Sequence, residues 1–141
     1  LQPDGKIVVA GCVNMGGGND FLLVRYNLNG SPDTGFGTNG VTVTPIGNGT
    51  DIANAVAIQP DGKIIAAGFS NNGANNDFAV IRRNADGSLD PTFDTDGKLT
   101  TPISISADIG NAVAIQVDGK IVTAGRAVIG ATADFGVVRY G

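Results

Sequence analysis

Apolar and polar residues follow one another along this chain in short bursts. Ala53–Gln59 (ANAVAIQ) is short, apolar and rich in small residues, the pattern of a strand buried on both faces. Pro60-Asp61-Gly62 comes next. Pro presets the first turn position, Asp suits the second, and Gly takes the left-handed conformation that closes a three-residue hairpin loop with a bulge. Lys63–Phe69 (KIIAAGF) is then the antiparallel partner. Ser70–Asn76 reads as a polar loop and Asp77–Arg83 (DFAVIRR) as a third strand. Asn84–Gly97 is a long turn region pinned by Phe93. Lys98–Thr101 (KLTT) is a shorter, more polar fourth strand, closed by Pro102.

The pattern recurs. QPDGKIVVAG at Gln2–Gly11 returns as QPDGKIIAAG at Gln59–Gly68 and as QVDGKIVTAG at Gln116–Gly125, each time 57 residues on. Asp20, Asp77 and Asp134 keep that register, as do Arg25, Arg82 and Arg139. NAVAI at Asn54–Ile58 is repeated letter for letter at Asn111–Ile115. Between Gln2–Asn27 and Gln59–Asn84, 15 of 26 positions are identical, so the units occupy nearly equivalent environments. A fixed period of this size marks a repeat architecture in which each copy is one supersecondary unit. The register predicts that the chain is a stretch of about two and a half units from a longer array.

Four consecutive antiparallel strands with the last one most polar describe a propeller blade. Small residues suit the innermost strand, where neighbours crowd, and Thr suits the outermost. Radial repetition hides sheet faces while leaving only short edges. The expected fold is an all-β partial propeller of about 2.5 repeats, with ten strands. Residues 1–44 would supply strands two to four of one blade, 45–101 a complete blade, and 102–141 strands one to three of the next. A β-solenoid is the rival, but its coils repeat at shorter periods with parallel strands, and QPDGK turns require antiparallel neighbours.

Composition sharpens the picture. The chain has 22 Gly and 6 Pro, and all 13 acidic residues are Asp. Glu favours helices and Asp favours turns, which again argues for all-β. The net charge of −4 speaks against nucleic acid or an anionic membrane as partner. No apolar run approaches the ~18 residues of a spanning helix, so membrane insertion through one is not expected. The single Cys12 reads as a small apolar side chain; its counterparts are Phe69 and Arg126.

Candidate chemistry is sparse. With no His, Ser-His-Asp and Cys-His systems and most zinc sites are excluded. With no Glu, acid–base work would fall to Asp, Lys or Tyr. Gly16–Gly18 lacks the Lys-Ser/Thr ending and following helix of a phosphate loop. Asp94-Thr95-Asp96-Gly97 resembles part of a calcium loop, but Thr92 stands where a further carboxylate is needed and no bidentate Glu follows. Asx residues before Gly are ordinary turn formers. Recurrence of Asp20, Asp77, Asp134 and of the three Arg suits a framework role, pairing blades or capping loops. Lys6, Lys63 and Lys120 read as exposed stems. Asp51 with Asn54, and Asp108 with Asn111, fall at the start of the innermost strand, near a mouth of the axial channel. Loop hydrogen bonding is the preferred reading for them. The loops between second and third strands differ most between copies, and binding usually resides in such loops on a rigid scaffold.

The string QPDGKIVVAG, followed by DFLLVRYN, NGSPD and FG, resembles the delta-60 repeat of large bacterial proteins over essentially the whole chain. The resemblance implies β-propellers of tandem units in secreted or surface proteins, often beside adhesive or sorting modules. It also implies a distant relation to NHL-type and gluconolactonase-type blades. Two positions depart from the pattern: Val117 replaces the turn Pro, and Arg83 replaces the aromatic seen at Tyr26 and Tyr140. In gluconolactonase-like propellers, positions such as Asp51 and Asp108 can hold a divalent metal. There the ligands come from different residue types on different blades, whereas here the two pairs are copies.

The expected function is therefore a non-catalytic structural or interaction module of a secreted or cell-surface bacterial protein, binding a protein or a glycan. No cofactor is expected; Asp51, Asp108, Asp94 and Asp96 are the weak candidates for a metal such as Ca2+. A metal-dependent lactonase-like or lyase-like enzyme is one alternative. A homo-oligomeric ring or filament subunit is another, because an open set of blades leaves apolar sheet faces uncovered.

Overall fold

The computed structural model describes residues 1–141. It contains ten strands and no helix: β1 (Ile7–Asn14), β2 (Asn19–Tyr26), β3 (Val41–Thr44), β4 (Asp51–Ile58), β5 (Ile64–Asn71), β6 (Asn76–Arg83), β7 (Lys98–Thr101), β8 (Ile109–Ile115), β9 (Ile121–Ile129) and β10 (Thr132–Tyr140). They form three antiparallel sheets ordered β1-β2-β3, β4-β5-β6-β7 and β8-β9-β10, which we call units one, two and three. The chain is all-β and forms part of a β-propeller.

Local chemistry sets each hairpin. At Gln59–Lys63 the Gln59 amide donates to the Lys63 carbonyl (2.8 Å) and Gly62 takes a φ of 85°. The Asp61 carboxylate accepts from the Lys63 amide (3.1 Å). The same bonds recur at Gln116–Lys120 although Val117 replaces Pro. Asp and Gly therefore carry this turn, and Pro only presets it.

The structure corrects the sequence reading in several places. The innermost strand begins at Asp51 rather than Ala53 and is half-buried along most of its length. Register slips between Ala53 and Ala55, and again between Gly110 and Ala112, leaving Asn54 and Asn111 as bulged residues within strands. A Cβ on Gly68, opposite the first bulge, would collide with the Ile52 carbonyl; one on Gly125 would collide with that of Ile109. The repeated Ala-Gly pair is thus matched to the bulge. The polar loop shrinks to Asn72–Asn75, because β5 and β6 pair out to Asn71 and Asn76. In unit three the stretch RAVIGATA is mostly strand, turning only around Gly130-Ala131.

The core lies between units, not within them. Val8, Phe21, Leu23 and Phe36 of unit one pack on Ile64, Ala66, Ala79 and Ile81 of unit two. Ile65, Ala67, Val80 and Phe93 of unit two pack on Ile121 and Tyr140 of unit three. Alternation along each strand sends one apolar set to each face, so every unit presents one face to the unit before it and the other to the unit after it.

Candidate functional site

Most of the charged side chains belong to a repeated framework. At the far end of β2, Arg25 Nε donates to Asp33 (2.7 Å) and Lys6 Nζ donates to the same carboxylate oxygen (2.9 Å). In unit two Arg82 and Lys63 converge on Asp90 in the same way (2.6 and 3.0 Å). Each Arg also stacks on the aromatic that closes its turn, Phe36 at 4.5 Å and Phe93 at 4.9 Å. Lys6, the Gly35 amide and Arg25 hold Asp33 down at about 2. Burial pushes Asp90 up, but the Thr92 hydroxyl, Lys63 and Arg82 outweigh it and hold its carboxyl well below the usual carboxylate range.

Lys6 and Lys63 are therefore ion-pair donors, not the exposed stems expected from sequence. The Lys–Asp–Arg–Phe cluster was not legible as a unit in the sequence; nothing in the spacing joins residues 27 positions apart. The recurring Asp20, Asp77 and Asp134 do not share one environment. Asp77 is buried and accepts from Asn72 Nδ2 (2.8 Å), whereas Asp134 is exposed.

The four candidate metal ligands separate into two kinds. Asp51 and Asp108 are fully buried. Asp51 accepts from the Ile46 and Gly47 amides (2.7 and 3.1 Å). Asp108 accepts from the Ile103 and Ser104 amides and the Ser104 hydroxyl, each at 2.8 Å. Each carboxylate is turned into the loop before its own strand. Asn54 reaches the next unit instead: its Nδ2 donates to the Gly110 carbonyl (2.8 Å), stitching two innermost strands together. Asp94 and Asp96 both line a small cleft with Ile46, Lys98 and Leu99. There the Lys98 ammonium lies 3.4 Å from Asp96, so a protein cation already faces that carboxylate. No three His, Cys, Asp or Glu side chains gather anywhere in the chain.

A larger cleft of about 660 Å3 opens between units one and two. One wall is Gly37, Thr38 and the strand Val41–Val43; the other is Asp86–Ser88 with Arg83. The walls are tied by the Gly37 amide on the Asp86 carbonyl (2.9 Å) and by Arg25 on the Ala85 carbonyl (2.6 Å). Arg83 ends β6, points at unit one, and donates to Thr44 Oγ1 and the Gly87 carbonyl. Its counterpart Tyr140 donates to Thr101 Oγ1 (3.1 Å), and Thr101 is the repeat equivalent of Thr44. The position is thus a latch between neighbouring units, built from Tyr at one interface and Arg at the other. Arg83 is 5% exposed and has no carboxylate partner. Burial pulls its pKa down to about 10, so it remains charged at neutral pH.

The chain matches the family described as a domain of unknown function (DUF5122) beta-propeller over residues 2–36, 59–93 and 116–141. It belongs to this DUF5122 β-propeller family. The three matched segments start on the same residue of each unit, the Gln before the Asp-Gly turn. They reach Phe36 and Phe93, the aromatics that Arg25 and Arg82 stack upon. No curated protein matches the chain.

Proposed function

We propose that this DUF5122 chain is a non-catalytic structural or interaction module of a secreted or cell-surface bacterial protein, its units being delta-60 repeats that present loops to a protein or glycan. The observation that carries the reading is how the ionisable side chains are used. Asp33 and Asp90 are held by Lys and Arg, and Asp51 and Asp108 by loop amides. A general acid or base needs a group free to exchange a proton with a ligand, and these are committed to the framework. The test is turnover of small lactones and esters by the purified protein, alongside binding to a glycan array and a calcium titration. Lactone hydrolysis abolished by Asp51→Ala or Asp108→Ala would overturn the proposal.

A second reading, assembly into a ring or filament, is supported by the sheet faces. Phe135 and Val137 are 87% and 57% exposed, while their equivalents Phe21, Leu23, Phe78 and Val80 are buried against a following unit. Ile7 and Val9 stand exposed where Ile64 and Ala66 are covered by a preceding unit. Two surfaces that mate twice inside the molecule are each uncovered once. Further copies of the unit, from the same chain or a second one, fit both. Head-to-tail contacts of this kind close into rings or extend as filaments. Sedimentation of the 141-residue protein as a monomer at high concentration would count against this.

A further inference from the structure

The geometry points to the cleft between units one and two as a binding site for a small ligand carrying a single carboxylate, received by Arg83. This rests on the cleft alone and is independent of the proposed role in an array.

Two cations in this protein are buried, Arg25 and Arg83. Arg25 has Asp33; Arg83 has no anion at all. A buried charge without a counter-ion is costly unless something pairs with it. A guanidinium carries five donor hydrogens, and Arg83 uses only three, on the Gly87 and Val43 carbonyls and on Thr44 Oγ1. Its Nε has no acceptor despite being buried. In the same lining, the buried Thr42 Oγ1 also lacks a partner. Two residues of one cleft lining thus each carry a buried polar atom without a partner.

The repeat itself shows that the charge is surplus to the architecture. Tyr140 makes the equivalent latch to Thr101 with a neutral hydroxyl. Replacing Tyr by Arg keeps the bond to the Thr and adds a positive charge facing a cleft whose lining carries the hydroxyls of Thr38, Thr42 and Ser88, with Val41 and Val43 as its only apolar side chains. The charge balance selects the ligand. One cation is present, and Asp86, tied to the Ser88 amide and hydroxyl, lies in the wall. With one guanidinium to pair with, a dianionic phosphate entering the cleft would lose more hydration than that single cation repays, whereas a monoanionic carboxylate matches the guanidinium. The hydroxyl-bearing lining suits a carboxylate carried on a polyol, as in a sugar acid.

The test is a titration of the full chain with sodium glucuronate, acetate, phosphate and glucose at constant ionic strength. Binding is followed by the Arg83 Nε–Hε resonance and the backbone amides of Gly37 and Ser88. Glucuronate is expected to shift these signals saturably and glucose to leave them still. Arg83→Tyr, which keeps the latch in the form Tyr140 already uses, should weaken binding about tenfold or more through loss of the charge-assisted bond. Asp86→Asn should tighten binding a few-fold, and Thr42→Val should weaken it a few-fold. Unsaturable drift, equal binding to Arg83→Tyr, or phosphate binding more tightly than either carboxylate would overturn the inference. If Arg83→Tyr does not fold, the Asp86→Asn and Thr42→Val pair decides: no change in affinity in either would overturn it.

Discussion

The interfaces between units one and two and between units two and three are built to the same plan and closed differently. Both bury an apolar face of one sheet against the opposite face of the next. At both, the last residue of the third strand reaches the same Thr of the preceding unit. At the second interface that residue is Tyr140, whose ring also meets Phe93 edge-on with centroids 6.4 Å apart. At the first it is Arg83, a buried cation with an unused Nε. Repetition therefore secures the packing, and a single departure from it introduces unmatched charge. What distinguishes one blade of such an array from another is legible at the positions that break the repeat.

The largest effect is expected where the plan is common to both interfaces. In Gly68→Ala the new methyl would strike the Ile52 carbonyl at the bulge, and the Gly68 carbonyl itself fills the place a Cβ on Gly110 of the next unit would take, so the backbone has little room to shift. Overpacking against backbone should cost about 3 kcal/mol or more, read as a loss of the urea midpoint. Gly11→Ala, at the equivalent position with nothing near its Cβ, should be close to neutral. Equal effects at the two sites would separate the Ala-Gly pair from the bulge.

Next in size is the ionic framework. Asp90→Ala leaves Arg82 and Lys63 without their shared anion and should cost on the order of 2 kcal/mol. The same framework sets the acid response. Asp33 titrates at about 2 in the folded protein, against 3.8 for the free side chain, and Asp90 is also lowered. An unfolded chain with higher pKa values binds more protons as pH falls, so these pairs stabilise fully above about pH 4. Their contribution is lost as pH falls through about 4 towards 2. With no His in the chain, the urea midpoint should be nearly flat from about pH 5 to 8. An Asp33→Asn, Asp90→Asn double variant should show a shallower acid limb.

Smaller effects distinguish the two latches themselves. Arg83→Tyr, transplanting the second latch into the first interface, should be neutral or stabilising by about 1 kcal/mol, because it removes an unpaired buried charge. Tyr140→Arg, the reverse transplant, should destabilise by a similar amount. Tyr140→Phe should cost about 1 kcal/mol, the worth of one hydrogen bond to Thr101. If both transplants were silent, the charge at Arg83 would be solvated well enough to make the two interfaces equivalent.

Several elements were legible in the residues because they are local. Pro60-Asp61-Gly62 announces its turn through dihedral preferences that act within five residues. The apolar alternation in DFAVIRR and its copies specifies a two-faced strand without knowledge of its neighbours. The bulges at Asn54 and Asn111 were not legible, since a bulge is defined by the partner strand it slips against. Lys6 was misjudged for the same reason: an ammonium after a turn looks solvated until Asp33 is folded back beside it. Arg83 stood out as a departure from Tyr26 and Tyr140, but its isolation from every carboxylate required the cleft to be seen.

By itself, then, the sequence determined the period, the strand count per unit, the hairpin turns and the two apolar faces, because these follow from short-range dihedral and alternation rules repeated every 57 residues. Only the tertiary structure decided which charges are paired and which is left alone. Pairing depends on distances between residues 8 and 27 positions apart, and burial, which makes an unpaired charge matter, exists only once one sheet covers another.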